Sequence, residues 1–431
     1  MSVGVVFIIF AICLLIAVPI SISLGIVAVL PGLFDPSFTA SGSFVIRSML
    51  GGIDSFPLLA VPMFVLAGII MAHGQISKKL FDIFAYFLGN LTAGIPCAVV
   101  VTCLFYGAIS GSAPATVAAV GSMTIPFLLE LGYEKKFSIA IVAVAGGLGV
   151  IIPPSIPFIM FAMASGESVS NLFIAGIVPG LLIGFLLRAY CVYYCKRHGE
   201  DKEKINTKVQ ELHEAGFMKV FKDGFLALLS PVIILGCIYS GIASPTEAAV
   251  ISVFYALIIS LFVYKTLKWK DIWHIFVEAV HTYAPILFIL AAAVAFSRVL
   301  TLMQVPQTIS AWILSHFTNK VVLLLVINAF LLVVGMVMDT TPAILILSPI
   351  LVPIVTQVGM NPIHFGVMMV VNLAIGFVTP PIGVNLFVAS SLKEVPVMDI
   401  ARKAMPMIGI FLIALLLITF VPQISLCLLG G

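Results

Sequence analysis

Charge is what this sequence has least of. Asp, Glu, Lys and Arg make up 9% of its 431 residues, against 62% hydrophobic residues, where a soluble domain carries roughly 25% charged residues. That scarcity excludes an ordinary water-soluble domain, and the net charge of +3 is too small to suggest a nucleic-acid partner. Paired ligand spacing is missing as well. The seven cysteines (Cys13, Cys97, Cys103, Cys191, Cys195, Cys237, Cys427) lie in or beside apolar runs and lack the spacing of a zinc site or disulfide scaffold, so they read as small packing residues. Cys191 and Cys195 share a helix face without further ligands beside them, and the seven histidines show no ligand spacing. There is no His-Glu-x-x-His, no paired intramembrane aspartates and no nucleophile–base pair, so an enzyme is not expected. The longest polar stretch, residues 196–223, holds at most one amphipathic helix and no folded extramembrane domain.

What is present is apolar length. Runs of about 18 or more residues recur along nearly the whole chain, each long enough to cross a ~30 Å hydrocarbon core as a helix. Their lack of apolar–polar alternation excludes a membrane barrel. The first run, "MSVGVVFIIFAICLLIAVPISISLGIVAVL", has no basic residue ahead of it and exceeds signal-peptide length, and reads as a retained first span. Seven Lys/Arg within 196–222 and three within 265–270 mark cytoplasmic loops, with two spans between them near 223–241 and 246–264.

Counting outward from those loops places Lys135, Lys136, Lys393, Arg402 and Lys403 inside and leaves only Lys320 outside. Segments 137–165 and 365–391 then cross in opposite directions, and each is interrupted by a Pro-Pro pair. The two halves align at an offset of 227 residues, pairing Pro126 with Pro353, Gly149 with Gly376, and Pro153 and Pro154 with Pro380 and Pro381. Similar sequence in opposite orientation is an inverted repeat, the common architecture of secondary transporters.

A proline inside a helix frees carbonyl oxygens that hydrocarbon cannot satisfy, so such breaks survive at membrane depth where they line a polar cavity. Each break has a polar tip in its own repeat: "AISGSAPAT" (108–116) and "GMVMDTTPA" (335–343). Ser110, Ser112, Asp339, Thr340 and Thr341 supply hard oxygens, which favour an alkali cation over a transition metal. Two sodium sites, one per repeat, with substrate between them, are the expectation. Asp339 also reads as a helix cap in Asp-Thr-Thr-Pro. Arg298 reads either as a side chain snorkelling to the interface or as a bidentate ligand for a carboxylate. Asn385 reads as a polar helix contact or as a ligand, and Glu247 as a first-turn cap.

Five segments, "GAISGSAPATVAAVG", "GLGVIIPPSIPF", "GIASPTEAAV", "MDTTPAILILSPILVPI" and "IGFVTPPIGVNLFVAS", resemble the signatures of the large membrane subunit of the TRAP (tripartite ATP-independent periplasmic) transporters. The resemblance spans essentially the whole chain. It implies an all-α polytopic protein of the bacterial inner membrane, with inverted repeats that each hold a re-entrant hairpin and a proline-broken helix in an elevator-type architecture. The corresponding divisions are scaffold helices at 1–76, an inner lateral arm at 77–93, a first transport repeat at 94–198 and a cytoplasmic loop at 199–222. Scaffold helices at 223–300, an outer lateral arm at 301–319 and a second transport repeat at 320–431 complete the chain.

The resemblance also implies sodium-coupled uptake of an organic anion, such as a sialic acid or a C4-dicarboxylate. It implies two partner polypeptides, a small four-helix membrane subunit and a periplasmic solute-binding protein; the alternative is a sodium/anion symporter that works alone. Carried onto this sequence, the ion ligands are Ser110, Gly111, Ser112, Gly149 and Pro153 for one site. Met338, Asp339, Thr340, Thr341, Thr379 and Pro380 serve the other, and Arg298, Asn385, Ser112 and Pro154 are placed at the substrate. The first tip departs from the family pattern, reading Ser-Ala-Pro where many relatives have Ser-Ser-Val, which removes a hydroxyl there.

Overall fold

The structure, a computed structural model, describes residues 3–35, 38–214, 216–316 and 319–430. Among these there is no strand, and nine helices are long and apolar enough to cross a membrane. The first run is not one span but two helices, α1 (Val3–Leu15) and α2 (Ile20–Phe34). Ala17, at φ 60°, reverses the chain between them, and Pro19 starts α2. Nothing in the composition of the run signals an alanine in the left-handed region. α3 (Gly42–Ile53) follows, capped by Ser41 Oγ accepting from Phe44 N–H, and then α4 (Ala60–His73).

α5 (Ile76–Leu88) is amphipathic. Ile76, Leu80, Phe81 and Ile83 are buried while Lys78 faces outward. α6 (Gly94–Ser110) and α7 (Ala113–Glu130) form the first hairpin. α8 (Lys135–Gly146) tightens through a 3₁₀ turn at Gly147–Val150 and breaks before α9 (Ile156–Ser165). The long α10 (Val169–His198) ends in Lys196, Arg197 and His198, cations that suit a helix C-terminus.

The polar loop carries the single expected helix, α11 (Lys202–Glu214), and residue 215 lies outside the described residues. α12 (Phe217–Tyr239) and α13 (Pro245–Ile258) are the two expected spans. Glu247 closes a capping box with Ser244 at the start of α13, so its cap reading holds. α14 (Trp269–Leu302) leads to α15 (Val305–His316), whose junction with the next helix includes residues 317 and 318, outside the described set.

The second unit repeats the order of the first: α16 (Lys320–Val337) and α17 (Thr340–Gln357), joined at a tip, then α18 (Pro362–Gly376), a break, α19 (Val384–Ser391) and α20 (Val397–Phe420). Its hairpin is more splayed than the first, α16 packing mainly on α18 and α17 on α9 and α14. α7 and α17 share a length of 18 residues and stand at the offset read from the sequence. The broken helices form the centre of the molecule. Every residue from Phe137 to Gly146 and from His364 to Gly376 is buried, which a lipid-facing helix would not be. α2, α3, α4, α12, α13 and α14 pack beside them as a second group.

Candidate functional site at the hairpin tips

Glycine lets each hairpin reach its break. A Cβ added to Gly107 would lie 2.6 Å from the Cα of Gly149, and one added to Gly376 only 2.2 Å from the carbonyl oxygen of Gly335. The same glycine–glycine crossing therefore recurs in both repeats, at α6 against the first break and at α16 against the second.

At the first tip α6 ends on Gly111 (φ 60°), a conformation that glycine adopts without penalty. Its carbonyl accepts from Ile156 N–H at 3.3 Å, which ties the tip to the far side of the break. Thr116 Oγ1 donates to the Ser112 carbonyl at 2.8 Å and lies 2.9 Å from Ser110 Oγ. Ser110, Gly111, Gly149, Pro153 and Pro154 are all buried here and Ser112 is half-buried, so these sequence-predicted residues do come together. Thr116 was not among them. Its signal was its place one helical turn after Ser112 in the same polar tip. Three oxygens this close, brought together by small residues, suit a monovalent cation on chemical grounds. Among the described residues no group of three His, Cys, Asp or Glu side chains stands where a transition metal would need it.

The second tip is built differently. Met338 is extended, Asp339 stands at the N-cap of α17, and Thr340 and Thr341 are buried behind it. Asp339 occupies the cap position but closes no cap hydrogen bond, and the carboxylate faces the Thr340 and Thr341 N–H groups from an exposed site. At the second break Thr379 Oγ1 donates to the Ile375 carbonyl at 2.7 Å, and Ile382 N–H ties the break to the end of α16 by donating to the Met336 carbonyl at 3.3 Å. Pro380 is half-buried and Pro381 exposed, whereas the first break is wholly enclosed. Both Pro-Pro bonds, Pro153–Pro154 and Pro380–Pro381, are cis.

Asn385 is fully buried and joins the repeats. Its Nδ2 donates to the Ala143 carbonyl of α8 at 3.0 Å, while its Oδ1 has no partner among the described residues. Arg298 stands elsewhere. It lies near the end of α14 with Nη1 donating to Ser48 of α3 at 3.4 Å, and it does not line the cavity described next.

That cavity, of about 700 Å³, is walled on one side by the first hairpin and on the other by α4 and α14. Ser110, Ser112 and Tyr106 close its deep end, Ala115, Ala118, Ala119 and Ser122 form the hairpin wall, and His73, Lys78 and Glu278 stand at its rim. Glu278 is about 30 Å along α14 from Arg298, twenty residues at 1.5 Å each.

Buried broken helices, hairpins that meet them through glycine, and a cavity ending on a tip define a multi-pass membrane protein of the secondary-transporter kind. The comparisons with known proteins agree. The sequence profile of the "Tripartite ATP-independent periplasmic transporter, DctM component" family matches residues 7–424, and the chain belongs to that family. It is therefore a permease subunit of the bacterial inner membrane.

The chain is 44% identical to the isethionate TRAP transporter permease protein DctMQ of Oleidesulfovibrio alaskensis, over 98% of its own length and 65% of that protein's. It thus spans slightly under two thirds of that relative. With the C4-dicarboxylate TRAP transporter large permease protein DctM of Pseudomonas aeruginosa it shares 39% identity over 87% of this chain and 86% of that one. The crystal structure of the Alcanivorax borkumensis YdaH transporter matches with a TM-score of 0.65 over 93% of this chain and 96% of that one. At 14% identity that is a likeness of fold alone.

Proposed function

We propose that this chain is the translocating subunit of a TRAP transporter that couples sodium entry to the uptake of a small organic anion bearing a carboxylate or sulfonate. The observation that carries this reading is the cavity. It ends on the oxygens of the first tip, has a neutral wall of small residues, and opens beside Lys78, on the side where the basic loops place the cytoplasm.

Relatives named for isethionate and for C4-dicarboxylates support an anionic cargo. The cavity has room for either of these or for a sialic acid, so head-group chemistry rather than size defines the class. Two sodium sites sit at the tips: Ser110, Ser112 and Thr116 with carbonyls of the first break, and Asp339 with Thr341, Thr379 and carbonyls of the second. In the elevator motion, α6–α10 and α16–α20 slide as one body against α2–α4 and α12–α14. A small four-helix membrane subunit and a periplasmic binding protein complete the assembly.

The test is thermal unfolding of the purified chain in sodium, potassium and choline chloride at equal ionic strength. A cation that binds only the folded state adds about 2.7 kcal/mol at a hundredfold excess over Kd. A sodium-specific rise that disappears in Asp339→Ala is expected. Equal stability in all three salts, in the chain and in its complex with the small subunit alike, would remove sodium from the reading.

A further inference from the structure

Among the residues that line the cavity, those of the acidic and basic types, His73, Lys78 and Glu278, all stand at its rim. The hairpin wall between rim and tip is alanine and serine, so an anion leaving the tip meets no charge until it arrives there. His73 Nε2 lies 2.9 Å from Glu278 Oε2 and joins α4 to α14 across the opening. Lys78 makes no ion pair among the described residues, whereas its neighbour Lys79 turns away onto Asp223 at 3.3 Å. The rim therefore carries one ammonium outside any close ion pair, with Asp82 one turn along α5 in its field, and one carboxylate tethered by a histidine, both partly open to water.

We propose that this rim is a charge-selecting exit, in which Lys78 is the last station of the departing carboxylate or sulfonate and Glu278, tethered by His73, competes for it. The inference rests on the reading of the cavity as the path of an organic anion. With Lys78 alone the rim would hold an oxyanion; with Glu278 alone it would repel one. Opposed charges give binding strong enough to draw the anion out and weak enough to release it, the condition that any conducting site must meet.

The experiment places a thiol beyond the rim, at Ala115→Cys on the exposed cavity wall, in the full chain. Its rate of modification is measured with an anionic reagent, 2-sulfonatoethyl methanethiosulfonate, and with the cationic 2-(trimethylammonio)ethyl analogue. Reaction is read by mass on the peptide that contains residue 115, so the native cysteines do not contribute. Because the two reagents are close in size, any change in how wide the cavity opens cancels in the ratio of their rates.

Glu278→Gln should raise the anion-to-cation ratio by about threefold and Lys78→Gln should lower it by about as much, the effect of one charge ~10 Å away in a wet, partly screened site. Ratios that stay within about 1.5-fold of the unsubstituted rim in both variants, or that move in the same direction, overturn the proposal. So does a thiol at 115 that reacts with neither reagent. The ratio does not depend on transport: absence of sodium-driven anion uptake by the assembled transporter would count against the transport reading while leaving the assignment of the rim's field intact.

Discussion

At the scale of single residues, the crossings at Gly107/Gly149 and Gly335/Gly376 are the tightest constraint on the site, and they are not symmetric within a pair. A Cβ on Gly376 would run into the backbone of Gly335 at 2.2, 2.3 and 2.6 Å, whereas a Cβ on Gly335 meets nothing nearer than 3.4 Å. Backbone cannot swing aside as a side chain can. Gly376→Ala should therefore force α16 away from α18 and cost about 1–3 kcal/mol, the range for overpacking a filled core. Gly335→Ala keeps the contact ordinary and gains helix propensity, so its net change should stay within about 1 kcal/mol of zero. Thermal midpoints of the two variants check this, and equal losses would mean that the crossing is looser than it stands here. Asn385 shows the same economy of position. Its Nδ2 bond to the Ala143 carbonyl is a polar helix contact, and its Oδ1, unpartnered among the described residues, is an acceptor that leaves the ligand alternative open.

At the scale of elements, the helices α8 and α20, which pack together beside the two breaks, are also clasped by reciprocal charges. Glu134, just before α8, bonds to Lys403 of α20, and Lys136 pairs with Asp399 of α20 at 2.9 Å. Burial works against the charge on Glu134, but the hydrogen bonds from Lys403 and Tyr194 outweigh it and hold the carboxyl below its ordinary range. A carboxyl with a depressed folded-state pKa contributes stability above its unfolded value of about 4.3 and loses it as pH falls through the folded value. Glu134→Gln should thus be less stable than the wild type near neutrality, by under about 1 kcal/mol because both partners are partly exposed. The gap should close on acidification below about pH 4, and a gap that is constant down to pH 3 would show that the clasp is not ionic.

The breaks themselves were legible in the sequence, since Pro-Pro in an apolar run and Asp-Thr-Thr-Pro after one each have a local cause. The clasp was not. Its partners lie 269 residues apart, and the His73–Glu278 pair 205 apart, on helices whose contact no local pattern states. The turn at Ala17 and the role of Thr116 were hidden for the opposite reason, because alanine and threonine are ordinary residues given meaning only by the backbone around them.

At the scale of the whole molecule, the transport reading requires the hairpin body to separate from the scaffold along the cavity, and α4 against α6, beside α14 against α17, is one of the contacts that must then be broken. Tyr106 of α6 donates to the Gly68 carbonyl of α4 at 3.2 Å, and a Cβ on Gly68 would stand 3.1 Å from the Cα of Ser110. This contact is small, polar and placed at the deep end of the cavity, so it latches the bodies without welding them. The Gly68 carbonyl lies inside α4 and keeps its helical partner, so Tyr106→Phe removes one net hydrogen bond and leaves no orphan behind, a change of about 1 kcal/mol. If the bond is made only while the cavity is open to the Lys78 side, that energy enters the equilibrium between the open state and its alternative directly, a shift of about fivefold. Labelling of Ala115→Cys from that side, averaged over the cycle, should slow by up to that factor in Tyr106→Phe wherever the open state is no longer dominant. On the proposed reading, sodium bound at the tips should change the labelling rate of both proteins, because Tyr106→Phe removes none of the oxygens assigned to it. A labelling rate unmoved by both the substitution and sodium would mean that hairpin and scaffold stay together as one rigid body, and the elevator would have to be replaced by motion of the tips alone.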